Sequence, residues 1–187
     1  GEPPPSALEV CGGSLDNLLV FHSLSKRSNA AGLRAGFIAG DERLIKQLGN
    51  LRNFGAAGMP MPVQAAAAAL WDDDAHVAEN RAMYRQKFET VEEVLGGKVP
   101  FHQPEAGFFL WLDLAAAGVR DGEAFSKTLW REQGIRAVPG AYLTLETPGQ
   151  PNPAADYIRL AVIHDTDTMR QAMGRLAEAV AAHSGAN

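Results

Sequence analysis

The sequence predicts an α/β protein in two parts, and three observations predict it. Short apolar runs bounded by Gly, Pro or Ser alternate with segments of helical period, the order expected of layered α/β structure. One long helical pattern, from about Ala75 to Leu95, separates an N-terminal stretch from a C-terminal stretch with its own strands and helices. Of the 187 residues, 46% are apolar, which supports a buried core rather than a disordered chain. A helix of that length often bridges two domains and equally suits half of a hairpin.

Each element has a local reason. Residues 1–14 are rich in Pro and Gly and read as loop. Leu18–His22 is a short apolar run that suits a buried strand, and Ala35–Ala39 is a second. Asp41 can cap a helix to about Asn53 whose Leu44, Ile45, Leu48 and Leu51 share a face. Phe54–Met61 holds two glycines and a proline and reads as irregular, and Pro62 suits the first turn of the Ala-rich helix that follows. Asp72, Asp73 and Asp74 offer caps for the long helix, on which Val77, Tyr84, Phe88, Val91 and Leu95 form one stripe ended by Gly96-Gly97. Beyond it come a strand over Phe108–Asp113 and a helix capped by Asp121, with Phe125, Leu129 and Trp130 inward and Gly134 at its end. A short strand Ile135–Val138, a polar loop over 144–156 and a strand Tyr157–Ile163 follow. A helix Thr166–Ala182 with Met169, Met173, Leu176 and Val180 on one face completes the order.

Composition narrows function. The net charge is −5 with both signs dispersed and no Lys/Arg-rich block, which gives no support to a nucleic-acid partner or a membrane-surface role. No apolar run reaches the roughly 18 residues of a bilayer span. The opening residues lack a secretory pattern, and Cys11 is the single cysteine; both favour a reducing, cytoplasmic setting. The five histidines are scattered without metal-ligand spacing, so no metal is expected.

The chemistry concentrates at Leu19–Lys26 and the residues just after it. An apolar run enters a turn holding Ser23 and Ser25, then Lys26; Arg34 follows between Gly32 and Gly36. A lone lysine in a turn is usually a solvated charge. Here two hydroxyls and a guanidinium stand close in sequence to the amine. A lysine on a rigid mount with anion donors nearby suits pyridoxal phosphate, whose aldehyde needs an amine and whose phosphate needs charge-assisted donors.

These residues carry a family resemblance. Ser23-Leu24-Ser25-Lys26 with Gly32-Leu33-Arg34-Ala35-Gly36 resembles the lysine signature of class I/II aminotransferases of pyridoxal phosphate fold type I. Pro104–Trp111 resembles the strand that opens that family's small domain, Val138-Pro139-Gly140 its Pro-Gly turn, and Tyr157–Ala161 the segment whose arginine binds the substrate α-carboxylate. The resemblance implies the end of a fold type I large domain over residues 1–73, a long connecting helix over 74–96 and the C-terminal small α/β domain over 97–187. It implies Lys26 as the cofactor lysine and proton carrier, and Ser23 and Arg34 as phosphate ligands, with Ser25 assisting. Arg159 becomes the carboxylate ligand; read without the resemblance, a strand arginine of this kind is commonly half of a structural ion pair. Substrates would be amino and keto acids, and the full-length protein a homodimer.

A narrower likeness joins His22–Asn29, Gly40-Asp41 and Trp71–Arg81, which are similar to bacterial N-succinyldiaminopimelate aminotransferases of lysine biosynthesis, although Ala31 stands where that group often has proline. This implies transfer from glutamate to N-succinyl-2-amino-6-oxopimelate. Another amino-acid aminotransferase, a β-lyase on the same scaffold, and the non-catalytic aminotransferase-like half of a transcription regulator are the alternatives. The family's glycine-containing phosphate loop, stacking ring, Asn and Tyr on the cofactor hydroxyl and Asp on the pyridine nitrogen have no counterpart here. The expectation is therefore a C-terminal portion of a longer protein, inactive alone.

Overall fold

The computed structural model describes residues 4–184 and is of mixed α/β class, as expected. The chain forms two compact units, Gly1–Ala82 and Met83–Asn187.

In the first unit, the loop expected over residues 1–14 lies outside the described residues at 1–3, and within them it contains a helical turn, α1 (Ala7–Val10). Its cause is a capping box: the Ser6 hydroxyl accepts from Leu8 N at 3.2 Å, and Glu9 Oε2 accepts from Ser6 N at 3.1 Å. Strand β1 (Leu19–Ser23) runs into the one-turn helix α2 (Leu24–Arg27). A 3-10 turn (Ala31–Leu33) leads into β2 (Gly36–Gly40). The strands pair antiparallel, with Leu19 opposite Gly40 and Ser23 opposite Gly36, so the lysine turn does join two strands of one sheet.

The expected burial of β1 is not observed: Phe21 is 67% exposed, and Phe37 on β2 is 44% exposed. The physical reason is supply. Among the described residues this unit's buried apolar cluster is Leu24, Ala35 and Ala67, which cannot cover both faces of a ribbon. Helix α3 (Glu42–Gly55) begins at the Asp41 cap, whose Oδ1 accepts from Leu44 N at 3.1 Å, and runs slightly past Asn53. Leu51 on its apolar stripe is 68% exposed. Helix α4 (Met61–Asp72) carries Pro62 in its first turn. The long helix α5 (Ala75–Leu95) starts where Asp73 Oδ1 accepts from Ala75 N at 2.8 Å.

The second unit has a fuller core. Strands β3 (Phe109–Asp113), β4 (Val138–Pro139) and β5 (Tyr157–Ala161) form an antiparallel sheet in the order β3-β5-β4. The strand expected at Ile135–Val138 is shorter and shifted, because Ile135 N is spent on Leu129 O as the chain leaves the preceding helix. Leu110, Leu112, Ile158 and Leu160 point to one face, the period-2 consequence of the pleat. Against them pack Phe88, Val91 and Leu95 of α5, Phe125 and Leu129 of α6 (Gly122–Gln133), and Met169, Met173, Leu176 and Val180 of α7 (Thr166–Ser184). Each such side chain contributes about 1.5–3 kcal/mol of burial. Trp130 was expected inward and is 59% exposed. It is one residue, hence about 100°, around the helix from Leu129. The Arg136 guanidinium covers its ring at 5.1 Å from the centre.

Candidate active site

Helix α2 is built by its cap. Ser23, extended at φ −144° and ψ 143°, accepts from Ser25 N through its hydroxyl at 3.1 Å. The same hydroxyl lies 3.0 Å from Ser25 Oγ and donates to Ala35 O at 3.4 Å. Leu24, fully buried, donates its N–H to Ala35 O at 3.1 Å, so the two sides of the turn are tied across Ala35. Arg34 is the neighbour of that carbonyl. It adopts a left-handed backbone (φ 52°) that costs a non-glycine residue about 1–2 kcal/mol. Its Nη1 donates to Ala31 O at 3.0 Å, which holds the guanidinium on the same turn. Gly36 has a steric reason: a Cβ there would run into the carbonyl oxygen of His22 on the paired strand.

The structure thus brings Ser23, Ser25, Lys26 and Arg34 into one turn, with Lys26 and Arg34 exposed and Ser25 half-buried. Among the described residues, no carboxylate is a partner of Ser23, Ser25 or Arg34. Two hydroxyls and a guanidinium form a donor set that fits a phosphate, and the Lys26 amine on the same turn suits an aldehyde. The described residues contain no cluster of three or more His, Cys, Asp or Glu placed to hold a metal, and no helix is long and apolar enough to cross a membrane.

Residues to which the sequence reading gave no role in the site surround the end of this turn. The Arg27 guanidinium donates to Leu70 O at 2.6 Å, to Trp71 O at 3.5 Å and to Asp74 Oδ1 at 2.6 Å. It also lies over the Trp71 ring, 5.1 Å from the centre. Ser28 Oγ meets His76 Nε2 at 2.8 Å, and His76 Nδ1 meets Asp73 Oδ2 at 2.9 Å. The hydrogen bond from His76, with a smaller one from Ala75 N, holds the Asp73 carboxyl below its ordinary range. Asn80 Nδ2 donates to Arg27 O at 3.3 Å, and Asn29 Nδ2 to Asn80 Oδ1 at 3.0 Å. The stretches His22–Asn29 and Trp71–Arg81, which share a resemblance in sequence, meet here in space.

Arg159 belongs to the second unit, on the sheet face opposite the core. Trp111 is its register partner on β3 and Val138 on β4. The alternative of a structural ion pair finds no support: Arg159 makes no salt bridge among the described residues, and its guanidinium lies over the Phe109 ring at 4.4 Å. Further along the same face, Tyr157 stacks on Trp111 with centroids 5.3 Å apart and donates to Asp113 Oδ2 at 3.0 Å. That carboxylate, through the hydrogen bond first, raises the Tyr157 phenol above its usual range.

A strand–lysine turn–strand unit followed by a small antiparallel α/β unit with a strand arginine defines a class. Residues 10–176 match the family of class I and II aminotransferases, and the chain belongs to that family. Members of this family work with pyridoxal phosphate. The chain is similar to the 4-dedimethylamino-4-oxo-anhydrotetracycline transaminase OxyQ of Streptomyces rimosus, with 39% identity over 92% of the chain and 46% of the relative. It is 32% identical to an LL-diaminopimelate aminotransferase of Nitratidesulfovibrio vulgaris, over 94% of the chain and 43% of the relative. The crystal structure of an aminotransferase from Neisseria meningitidis superposes with a TM-score of 0.87 at 38% identity, covering 98% of this chain and 46% of that one. The chain therefore spans about half the length of the relatives it matches.

Proposed function

We propose that this chain carries the lysine-bearing part of a pyridoxal phosphate-dependent aminotransferase that moves an amino group between an amino acid and a keto acid. Residues 1–73 are the end of the cofactor-binding large domain, 74–96 the connecting helix and 97–187 the small domain. The Ser23 hydroxyl and the Arg34 guanidinium bind the cofactor phosphate, with the Ser25 hydroxyl assisting. Lys26 Nζ holds the cofactor and carries the substrate proton. Arg159 orients the substrate carboxylate through its planar pair of N–H donors. The cofactor, when bound, supplies an electron sink that no side chain offers. Asp74 and Asp73 are engaged with Arg27 and His76, and the chain alone is expected to bind cofactor weakly and to turn over little.

The finer reading is transfer from glutamate to N-succinyl-2-amino-6-oxopimelate, on the diaminopimelate route of lysine biosynthesis, by a cytoplasmic homodimer. The likeness to an LL-diaminopimelate aminotransferase supports that substrate class. The observation that carries the reaction class is the Ser23 hydroxyl, 3.0 Å from Ser25 Oγ, capping the helix that bears Lys26 within the Arg34 turn. Borohydride reduction with pyridoxal phosphate, followed by peptide mapping, tests it: label on Lys26 is expected, and label confined to other lysines sinks the assignment. A panel of keto-acid acceptors, assayed on the full-length enzyme, separates the substrate alternatives.

A further inference from the structure

We propose that Arg27 is a positioning residue for Lys26, clasping the lysine-bearing turn onto the end of α4 and the start of α5. The proposal rests on Lys26 being the cofactor lysine. Helix α2 is four residues long, far below the roughly 12 needed for a helix to hold itself in water. Its N-terminal side is fixed by the Ser23 cap and by buried Leu24. Its C-terminal side, where Lys26 lies, depends on the residues that follow.

All three of those residues are tied by side chain or backbone to the same place. Arg27, whose side chain is 15% exposed, fills the carbonyl end of α4 by donating to Leu70 O and Trp71 O, acceptors that a helix terminus leaves without intrahelical partners. Its guanidinium plane rests on Trp71 and its far edge meets Asp74. A planar five-donor fork can satisfy these at once; an ammonium cannot. Ser28 is held by His76, itself oriented by Asp73, and Asn29 is held by Asn80, which also caps the Arg27 carbonyl. The line Asp73–His76–Ser28 has the atom order of an acyl-transfer relay, but the Ser28 hydroxyl is already shared between His76 and Arg27 Nη1 at 3.4 Å, so its role is mechanical. The charge next to Lys26 is thus spent on anchoring the turn that carries Lys26.

The test uses the whole chain and two readouts. The first is the backbone order of Ser25 and Lys26 by NMR relaxation. Arg27→Gln should lower the Lys26 order parameter from about 0.85 to below about 0.6. The second is the ratio of pyridoxal phosphate trapped by borohydride on Lys26 to that on Lys46, an exposed lysine of α3. That ratio should fall roughly tenfold in Arg27→Gln, the size of a lost charge-assisted contact. Arg27→Lys should recover only part of both. His76→Gln, which releases the Ser28 anchor and the His76 contact to Asp73 but leaves Arg27 in place, should give an intermediate loss in each and serves if Arg27→Gln does not fold. Unchanged order and ratio in the folded variants would overturn the proposal. If the unsubstituted chain shows no preference for Lys26 while the order still falls in Arg27→Gln, the clasp stands and the cofactor assignment fails.

Discussion

The Arg159 guanidinium lies over the Phe109 ring, 4.4 Å from its centre, and no acid pairs with it among the described residues. Both residues occupy the sheet face that the core does not use. A half-buried guanidinium with an aromatic ring on one side and no acid partner among the described residues is consistent with the carboxylate role proposed for it. An ion pair would have to be broken first. Arg159→Gln should weaken binding of 2-oxoglutarate to the chain about tenfold or more, since a charge-assisted pair is worth roughly 1.5–3 kcal/mol. Phe109→Leu keeps the charge and loses the ring, and should cost only two- to fivefold, about 0.5–1 kcal/mol. NMR titration of the three proteins checks both; equal affinity in Arg159→Gln and the unsubstituted chain excludes the assignment.

Ser23 and Ser25 are not equivalent although both hydroxyls stand 3.0 Å apart. The Ser23 oxygen caps α2, and Ser25 contributes its backbone N–H to that cap whatever its side chain. Ser23→Ala therefore removes a cap and the proposed phosphate donor together, while Ser25→Ala removes one hydroxyl. The cap alone is worth about 1 kcal/mol. Trapping of pyridoxal phosphate on Lys26 should accordingly fall by about fivefold or more in Ser23→Ala and by less in Ser25→Ala. A larger loss in Ser25→Ala would reverse the roles given to them.

The elements were legible where a local rule governs them. Asp41, Asp73 and Asp121 cap the helices that their positions before apolar periods predict. Met169, Met173, Leu176 and Val180 are all buried, because a helix over a well-filled sheet has a single inward face. Legibility failed where the outcome depends on what else is present. An apolar strand reads as buried, yet Phe21 is open because its unit has too few apolar partners. The α1 turn had a readable signal, Ser6 three residues before Glu9, obscured by the prolines before it. The turn that bears Lys26 is local and was readable. The Arg27 clasp was not, because its partner Asp74 lies 47 residues away and an arginine beside a lysine looks like surface charge.

Gly140 follows the Pro139 that closes β4. A Cβ added there would come within 2.6 Å of Ala154 O, 2.7 Å of Tyr157 Cβ and 3.0 Å of Tyr157 O. Two of these atoms are backbone, one of them on β5, and cannot rotate away. Gly140→Ala should thus destabilise the second unit by about 1–3 kcal/mol, the usual cost of overpacking. Urea unfolding followed at Trp111 reads this directly, and a midpoint within error of the unsubstituted protein would show that β5 yields more easily than the packing implies.

Asp156 links acid stability to the start of α6. Its Oδ2 accepts from Arg120 Nη1 at 2.8 Å and its Oδ1 from Asp121 N at 2.9 Å. Asp121, in the left-handed region at φ 60°, must hold that conformation to cap α6 through Ala124 N at 3.0 Å. The Arg120 hydrogen bond, then the Asp121 N–H, lowers the Asp156 pKa below its ordinary 3.8. A carboxyl with a depressed folded-state pKa contributes stability that is fully present above the unfolded value and is lost as pH falls through the lowered one. The melting temperature should therefore hold steady from neutral pH to about 5 as far as this group is concerned, and decline below about pH 4. Asp156→Asn keeps an oxygen acceptor for one of the two donors, sets an NH2 against the other, and cannot titrate. It should lower the melting temperature at pH 7 and flatten the acid decline, so that the two proteins converge near pH 2. Parallel curves for the two proteins from pH 7 to pH 2 would mean that Asp156 does not hold the α6 cap through its charge.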